Sequence, residues 1–109
     1  MTLRSEEVVE EQGVRVAFLD LGDSTIELLE PLDETSPVAK FIDKRGEGVH
    51  HIALGCSSIE DARKQALEND IRLLSAAPKV GAGGKLISFA HPRDTGGVLF
   101  EFTQKRKED

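Results

Sequence analysis

Tyrosine and tryptophan are absent from the 109 residues, and five phenylalanines supply all the benzene-type aromatic rings. Stacking platforms for nucleobases are therefore scarce, and so are the aromatic anchors that dominate protein interfaces. Basic side chains are also in deficit: 14 Lys and Arg face 20 Asp and Glu, for a formal net charge of -6. That sign argues against nonspecific nucleic-acid binding, which needs a basic footprint. The single cysteine, Cys56, cannot close an internal disulfide and fits a reducing compartment. The opening MTLRSEE has no apolar signal-peptide segment. No apolar run approaches the about 18 residues of a membrane span. What is present, 31% charged and 39% hydrophobic residues, is an ordinary soluble composition, and the length points to one domain.

Local patterns predict the elements. EVVEEQ (7–12) reads as a short strand ended by a turn at Gly13. VRVAFLD (14–20) and STIELLE (24–30) read as a hairpin across LGDS, with Pro31 as its stop. Ser36 is a candidate N-cap with Pro37 at the first helical position. Val38, Phe41 and Ile42 share one face, and Gly46 can end that helix of about two turns. VHHIALGC (49–56) is a strand. Ser58 caps the next helix with Asp61 three residues on, and Ile59, Ala62, Ala66 and Leu67 form its expected buried stripe. IRLLSA (71–76), LISFAH (86–91) and VLFEFTQ (98–104) read as strands, separated by the glycine-rich KVGAGGK and the turn HPRDTGG. The charged tail KRKED is expected to fray. The second half thus reads β-α-β-β-β. The first half reads β-β-β or β-β, with no leading strand and helix.

Several polar residues sit where strands place them on a chosen face. Glu27 points away from Ile26 and Leu28, and Glu101 away from Phe100 and Phe102. A sheet with one solvated face explains either glutamate alone. Alternation puts His51 with Ala53 and Gly55 on a small-residue face, as expected of a cavity wall. It puts His50 with Ile52 and Leu54, on the side expected to lie beneath helices as a structural residue. Glu27, His51 and Glu101 together make an imidazole and two carboxylates, a plausible divalent-metal donor set with no local spacing motif. GAGG (81–84) permits close backbone approach to a ligand. It is neither a Walker motif nor a dinucleotide fingerprint, since a strand follows it and GK[ST] is absent. Lys79 and Lys85 flank it and Arg93 lies in the next turn, all able to meet an anion. A hairpin loop with no ligand is the competing reading. His91, before Pro92, is a wall residue or simply a strand end.

The phrases ELLEPL, SPVAKF, GVHHIAL and HP…GGVLFE, taken together, resemble the methylmalonyl-CoA epimerase family of the vicinal oxygen chelate (glyoxalase-like) superfamily. The resemblance covers nearly all of the chain and corresponds to the latter part of a usual family member. It implies an α+β vicinal oxygen chelate fold in a single glyoxalase-like domain. Residues 1–46 would be a partial first module lacking its leading strand and helix, and 47–109 a complete βαβββ module. It implies a metal site at Glu27, His51 and Glu101, holding cobalt, manganese or zinc. The family's first ligand, a histidine in a DH motif on the first strand, has no counterpart here.

The activity implied is interconversion of 2R- and 2S-methylmalonyl-CoA through an enolate. Glu101 would act as acid–base catalyst, with Gly83, Gly84, Lys85 and Arg93 contacting the acyl-CoA. A homodimer, or a partner over the exposed edge, is implied, in the cytoplasm or, in a eukaryote, the mitochondrial matrix. Neither nucleic acid nor membrane is expected as partner. A glyoxalase-I-type lyase, and a catalytically impaired fragment or binding protein of the same fold, stay open as alternatives.

Overall fold

The computed structural model describes residues 1–105; the rest of the charged tail, 106–109, lies outside the described residues. The chain forms two compact units, Met1–Gly48 and a second beginning at Val49. No helix among the described residues is long and apolar enough to cross a membrane.

The first unit is a three-stranded antiparallel sheet, β1 (Thr2–Val9), β2 (Val14–Leu21) and β3 (Ser24–Pro31), in that spatial order, followed by helix α1 (Pro37–Arg45). The hairpin β2–β3 runs in unbroken register from Val14 opposite Pro31 to Leu21 opposite Ser24. Gly22 supplies, at φ 61°, the positive angle a two-residue hairpin turn needs at its first central position. The strand expected at 7–12 is corrected at both ends. It starts at Thr2 and pairs with β2 along its length, and Glu10–Gln12 form a single 3-10 turn. An edge strand tolerates polar residues such as those of TLRSEE because one edge and much of its surface face water. Arg4 adds to that pairing: its Nε donates to both carboxylate oxygens of Asp20, and its guanidinium lies 5.1 Å over the Phe18 ring.

Alternation in β2 buries Val14, Val16 and Phe18. The opposite face carries the cross-strand rows Leu3–Leu19–Ile26 and Glu6–Ala17–Leu28. It mixes apolar and charged residues and is open, with Leu28 56% exposed. Helix α1 starts as its sequence predicts. Ser36 Oγ accepts the Val38 N–H at 3.1 Å, Pro37 takes the first turn, and Gly46 ends it at φ 75° by donating to the Ile42 carbonyl. Val38 is buried and Phe41 and Ile42 half-buried, as their spacing requires.

The second unit is a four-stranded sheet with spatial order β4 (His51–Gly55), β7 (Leu99–Gln104), β6 (Leu86–Ala90), β5 (Lys79–Val80). β4 runs parallel to β7, and the other pairs are antiparallel. Helix α2 (Ile59–Glu68) packs on β6 and β7. Ser58 Oγ accepts the Asp61 N–H at 3.2 Å, and Gln104 Oε1 accepts the Ile59 N–H at 2.6 Å, so β7 itself helps cap the helix. The tandem arrangement, an incomplete first βαβββ-like module followed by a second, is an α+β vicinal oxygen chelate fold.

Two expectations for this unit are corrected. The buried stripe of α2 is Ile59, Arg63 and Ala66, with Ala62 half-buried, and Leu67 is 58% exposed. IRLLSA (71–76) is not a strand: Leu73 makes one isolated bridge to Ala90, and the strand pairing with β6 is Lys79–Val80. Arg63 belongs to both: it sits on the buried stripe of α2 and reaches the end of the 71–76 run. Its guanidinium is buried and donates to Ser88 Oγ at 2.6 Å and to the carbonyls of Ser75 and Ala76 at 3.2 and 2.7 Å. At the end of the run the Ser75 and Ala76 carbonyls satisfy a buried cation instead of a ladder, while Arg72 and Leu74 keep backbone bonds to His91 and Phe89.

Candidate active site

His51, Ala53 and Gly55 project from one face of β4. The register of β4 against β7 places Glu101 opposite Ala53, and that of β7 against β6 places Phe89 opposite Glu101. His51, Glu101 and Phe89 therefore share a face across three strands, with α2 packed on the other. Alternation in VHHIAL and LFEFT predicts this for His51 and Glu101; the part of Phe89 depends on a pairing that sequence does not reveal. The Phe89 ring meets His51 edge-on with centroids 6.1 Å apart.

His51 Nε2 stands 3.9 Å from Glu101 Oε1, and each side chain is only 13% exposed. The separation is too long for a hydrogen bond. Burial pushes the His51 imidazole below its ordinary pKa, so at neutral pH the ring is uncharged. The atoms facing each other are a nitrogen and an oxygen of the kind that share a divalent cation.

His50 differs from its expectation. β4 begins at His51, so alternation does not hold His50 to the Ile52 side. Its ring turns to its neighbour, with the two Nδ1 atoms 3.1 Å apart and the ring planes at 89°. Its pKa is lowered by burial first and by the adjacent His51 second. Ile52 and Leu54 are 42% and 47% exposed, so that side of β4 is not the covered one expected.

The remaining candidates belong to other elements. Glu27 is on β3 in the first unit, half-buried and opposite Phe18. Gly83 and Gly84 have positive φ, 71° and 74°, within a 3-10 turn that Lys85 closes by accepting the Gly81 N–H at 2.9 Å. Gly81 is required there, since a Cβ would lie 2.7 Å from Ile87 Cδ1. Arg93 is exposed in a 3-10 turn, its N–H donating to His91 Nδ1. That turn is pinned by Asp94, which accepts the Arg72 side chain and backbone N–H at 2.9–3.2 Å. These bonds, the side-chain ones first, pull the Asp94 carboxyl down to about 2. The glycine turn precedes β6 and the Arg93 turn follows it, five residues apart along the strand. They are separated by roughly 17 Å at about 3.4 Å per residue. The Arg93 turn lies at the end of the sheet where β4 and β7 begin. Among the described residues no group of three His, Cys, Asp or Glu side chains converges on one point.

Residues 1–89 match the Glyoxalase/Bleomycin resistance protein/Dioxygenase superfamily. The chain is 44% identical over 96 residues to an ethylmalonyl-CoA/methylmalonyl-CoA epimerase of Cereibacter sphaeroides, covering 86% of this chain and 72% of that protein. It is 44% identical over 95 residues to the mitochondrial methylmalonyl-CoA epimerase of Bos taurus, again over 86% of this chain, but spans only 54% of that relative's length. The crystal structure of methylmalonyl-CoA epimerase from Mycobacterium tuberculosis superposes with a TM-score of 0.92 at 36% identity, covering 99% of this chain and 73% of that one. With this match in sequence and fold, the chain belongs to the methylmalonyl-CoA epimerase family of the glyoxalase-like superfamily.

Proposed function

We propose that this chain acts on an acyl-CoA, interconverting 2R- and 2S-methylmalonyl-CoA by removal and return of the α-proton, as one domain built of its two units. The observation that carries the proposal is the His51 Nε2–Glu101 Oε1 pair, 3.9 Å apart on a sheltered sheet face in a chain of this family. A proton flanked by a thioester and a carboxylate is acidic enough for a carboxylate base, provided the charge that develops is stabilised.

The donor set tests the metal. A neutral imidazole nitrogen and a carboxylate oxygen fit a divalent ion as two of its ligands, and cobalt, manganese and zinc all accept such a mixture. The pair alone does not enclose an ion. A metal bound there would supply positive charge to oxygens that become negative as the proton leaves. The protein's own parts do the rest. Glu101 exchanges the proton on one face of the enolate at a carboxylate oxygen, and inversion requires a second acid–base group to serve the opposite face. His51, kept neutral by burial, offers a nitrogen lone pair. Phe89 excludes water from one side of that ring. Gly83, Gly84 and Lys85 at one end of β6 and Arg93 at the other suit a long ligand with anionic groups at both ends, as an acyl-CoA with a free carboxylate has.

Glu101→Gln keeps the shape of the side chain and removes the base. Deuterium uptake at the α-carbon of methylmalonyl-CoA should fall by at least ~100-fold, in line with loss of a general base. Near-normal exchange by that variant would end the role assigned to Glu101.

A further inference from the structure

We propose that His91 is a further substrate contact: its Nε2–H donates a hydrogen bond to the free carboxylate of the acyl group. It thereby favours a malonyl-type acyl-CoA over one that lacks this carboxylate. The inference rests on the epimerase reading for the placing of the α-carbon beside Glu101, and adds to it the residue that reads the carboxylate.

The place of the ring comes first. β6 ends at Ala90, which pairs with Phe100. The backbone stays extended one residue further: His91 has φ -67° and ψ 125°, and its N–H donates to the Arg72 carbonyl at 2.8 Å. Alternation therefore carries past the end of β6 and sets His91 on the face of Phe89 and Glu101. One step beyond the Ala90–Phe100 pair, β7 offers Leu99, which is opposite His51 on its other side. His91 and His51 thus flank Leu99 in one row, two strand spacings or about 10 Å apart. Glu101 lies on the diagonal from His91, at about 7–8 Å between Cα atoms.

The two ring nitrogens come next. Nδ1 accepts the Arg93 backbone N–H at 3.2 Å. A nitrogen that accepts from an amide carries no proton of its own, so the neutral ring holds its proton at Nε2. Among the described residues Nε2 has no hydrogen-bond partner, and no buried side-chain nitrogen or oxygen goes unpartnered, so Nε2 is open to solvent. The residue is half-buried, with one nitrogen tied to the turn and the other presenting a fixed donor.

Charge selects what that donor meets. Asp94, the nearest carboxylate in sequence, has both oxygens engaged by the Arg72 side chain. Arg93 adds an exposed cation at this end of the sheet. The free carboxylate of a malonyl-type acyl group is bonded to the α-carbon itself, whereas the CoA phosphates lie many bonds away. A ligand with its α-carbon at Glu101 therefore brings the carboxylate, not the phosphates, within reach of His91. An N–H bond to a carboxylate is about twice as strong as one to a neutral oxygen.

The test is calorimetric binding of methylmalonyl-CoA and of propionyl-CoA, which lacks the free carboxylate, with zinc added throughout. In His91→Asn the side-chain oxygen can keep the bond from the Arg93 N–H, but nothing reaches the place of Nε2. This variant should bind methylmalonyl-CoA at least ~10-fold more weakly, as loss of one charge-assisted hydrogen bond requires, and propionyl-CoA within ~2-fold of the unaltered chain. His91→Gln, whose amide nitrogen reaches the place of Nε2, should stay within ~3-fold for methylmalonyl-CoA. Unchanged methylmalonyl-CoA binding by His91→Asn overturns the proposal, and so does an equal loss for both ligands. Should the variants fail to fold, the unaltered chain labelled with 15N-histidine decides. His91 should be in the Nε2–H form by at least ~10-fold, with that resonance shifted by methylmalonyl-CoA and not by propionyl-CoA. A dominant Nδ1–H form, or no such difference, overturns the proposal. An unaltered chain that binds neither ligand overturns it too. Binding with the expected pattern but without deuterium exchange at the α-carbon upholds the contact and fails the epimerase reading alone.

Discussion

Each unit holds one small sheet and one helix, and the two use that helix differently. In the second unit α2 lies on β6 and β7 and buries Ile59, Ala66, Ser88 and Ala90. In the first, α1 touches β3, while Leu3, Ile26 and Leu28 stay exposed on one sheet face. The second unit also joins its helix and sheet by polar links, Arg63 to Ser88 and Gln104 to Ile59. In the first, α1 is capped by the hydroxyl of Ser36. The candidate pair His51 and Glu101 belongs to the unit whose sheet is braced from behind by its helix. Catalytic groups need that kind of support to hold a 3.9 Å separation.

Removing the brace should give the largest effect. Arg63→Met leaves Ser88 Oγ and the carbonyls of Ser75 and Ala76 each short of a buried partner, and should cost about 3 kcal/mol in urea unfolding. Native-state hydrogen exchange should show protection lost at residues 86–90 and kept at 14–20. Equal loss in both would erase the distinction between the units.

Ser36→Ala probes the first unit. Deleting the cap of α1 should cost about 1 kcal/mol, and a change below ~0.3 would mean that the helix is held by packing alone.

The gentlest probe is acid. The pKa values of His50 and His51 are both depressed, by burial. The unfolded chain therefore binds protons first, from pH 6.5 downward, and the folded chain resists them. The stability these rings contribute is complete above pH 6.5 and is lost as pH falls toward their folded pKa values. The double variant His50→Gln, His51→Gln should flatten this slope, whereas a slope unchanged in the variant would place its origin elsewhere. Asp94, held down at about 2 by Arg72, adds a separate loss that begins near pH 4.

Much of this was legible in the sequence because the signals are local. The hairpin follows from two strand-forming runs around LGDS, and α1 from Ser36-Pro37 and Gly46. The shared face of His51 and Glu101 follows from alternation in two separate strands. The misreadings have long-range causes. IRLLSA has the composition of a strand, but its pairing shrinks to one bridge at Leu73, and Arg63, twelve residues before Ser75, takes the Ser75 and Ala76 carbonyls at its end. β1 begins at Thr2 because β2 offers it an edge, a partner that TLRSEE does not announce. His50 sits one residue before its strand, where alternation stops applying. A boundary error of that size reverses the face assigned to a side chain.

The central claim is that this chain moves the α-proton of an acyl-CoA. It is tested most directly by incubating the unaltered chain with methylmalonyl-CoA in deuterium oxide, with added cobalt, manganese or zinc, and following label at the α-carbon by mass spectrometry. The account predicts metal-dependent uptake that is abolished by chelator, with no turnover of a glutathione hemithioacetal. No uptake with any of the three metals, or turnover of the hemithioacetal instead, would contradict it.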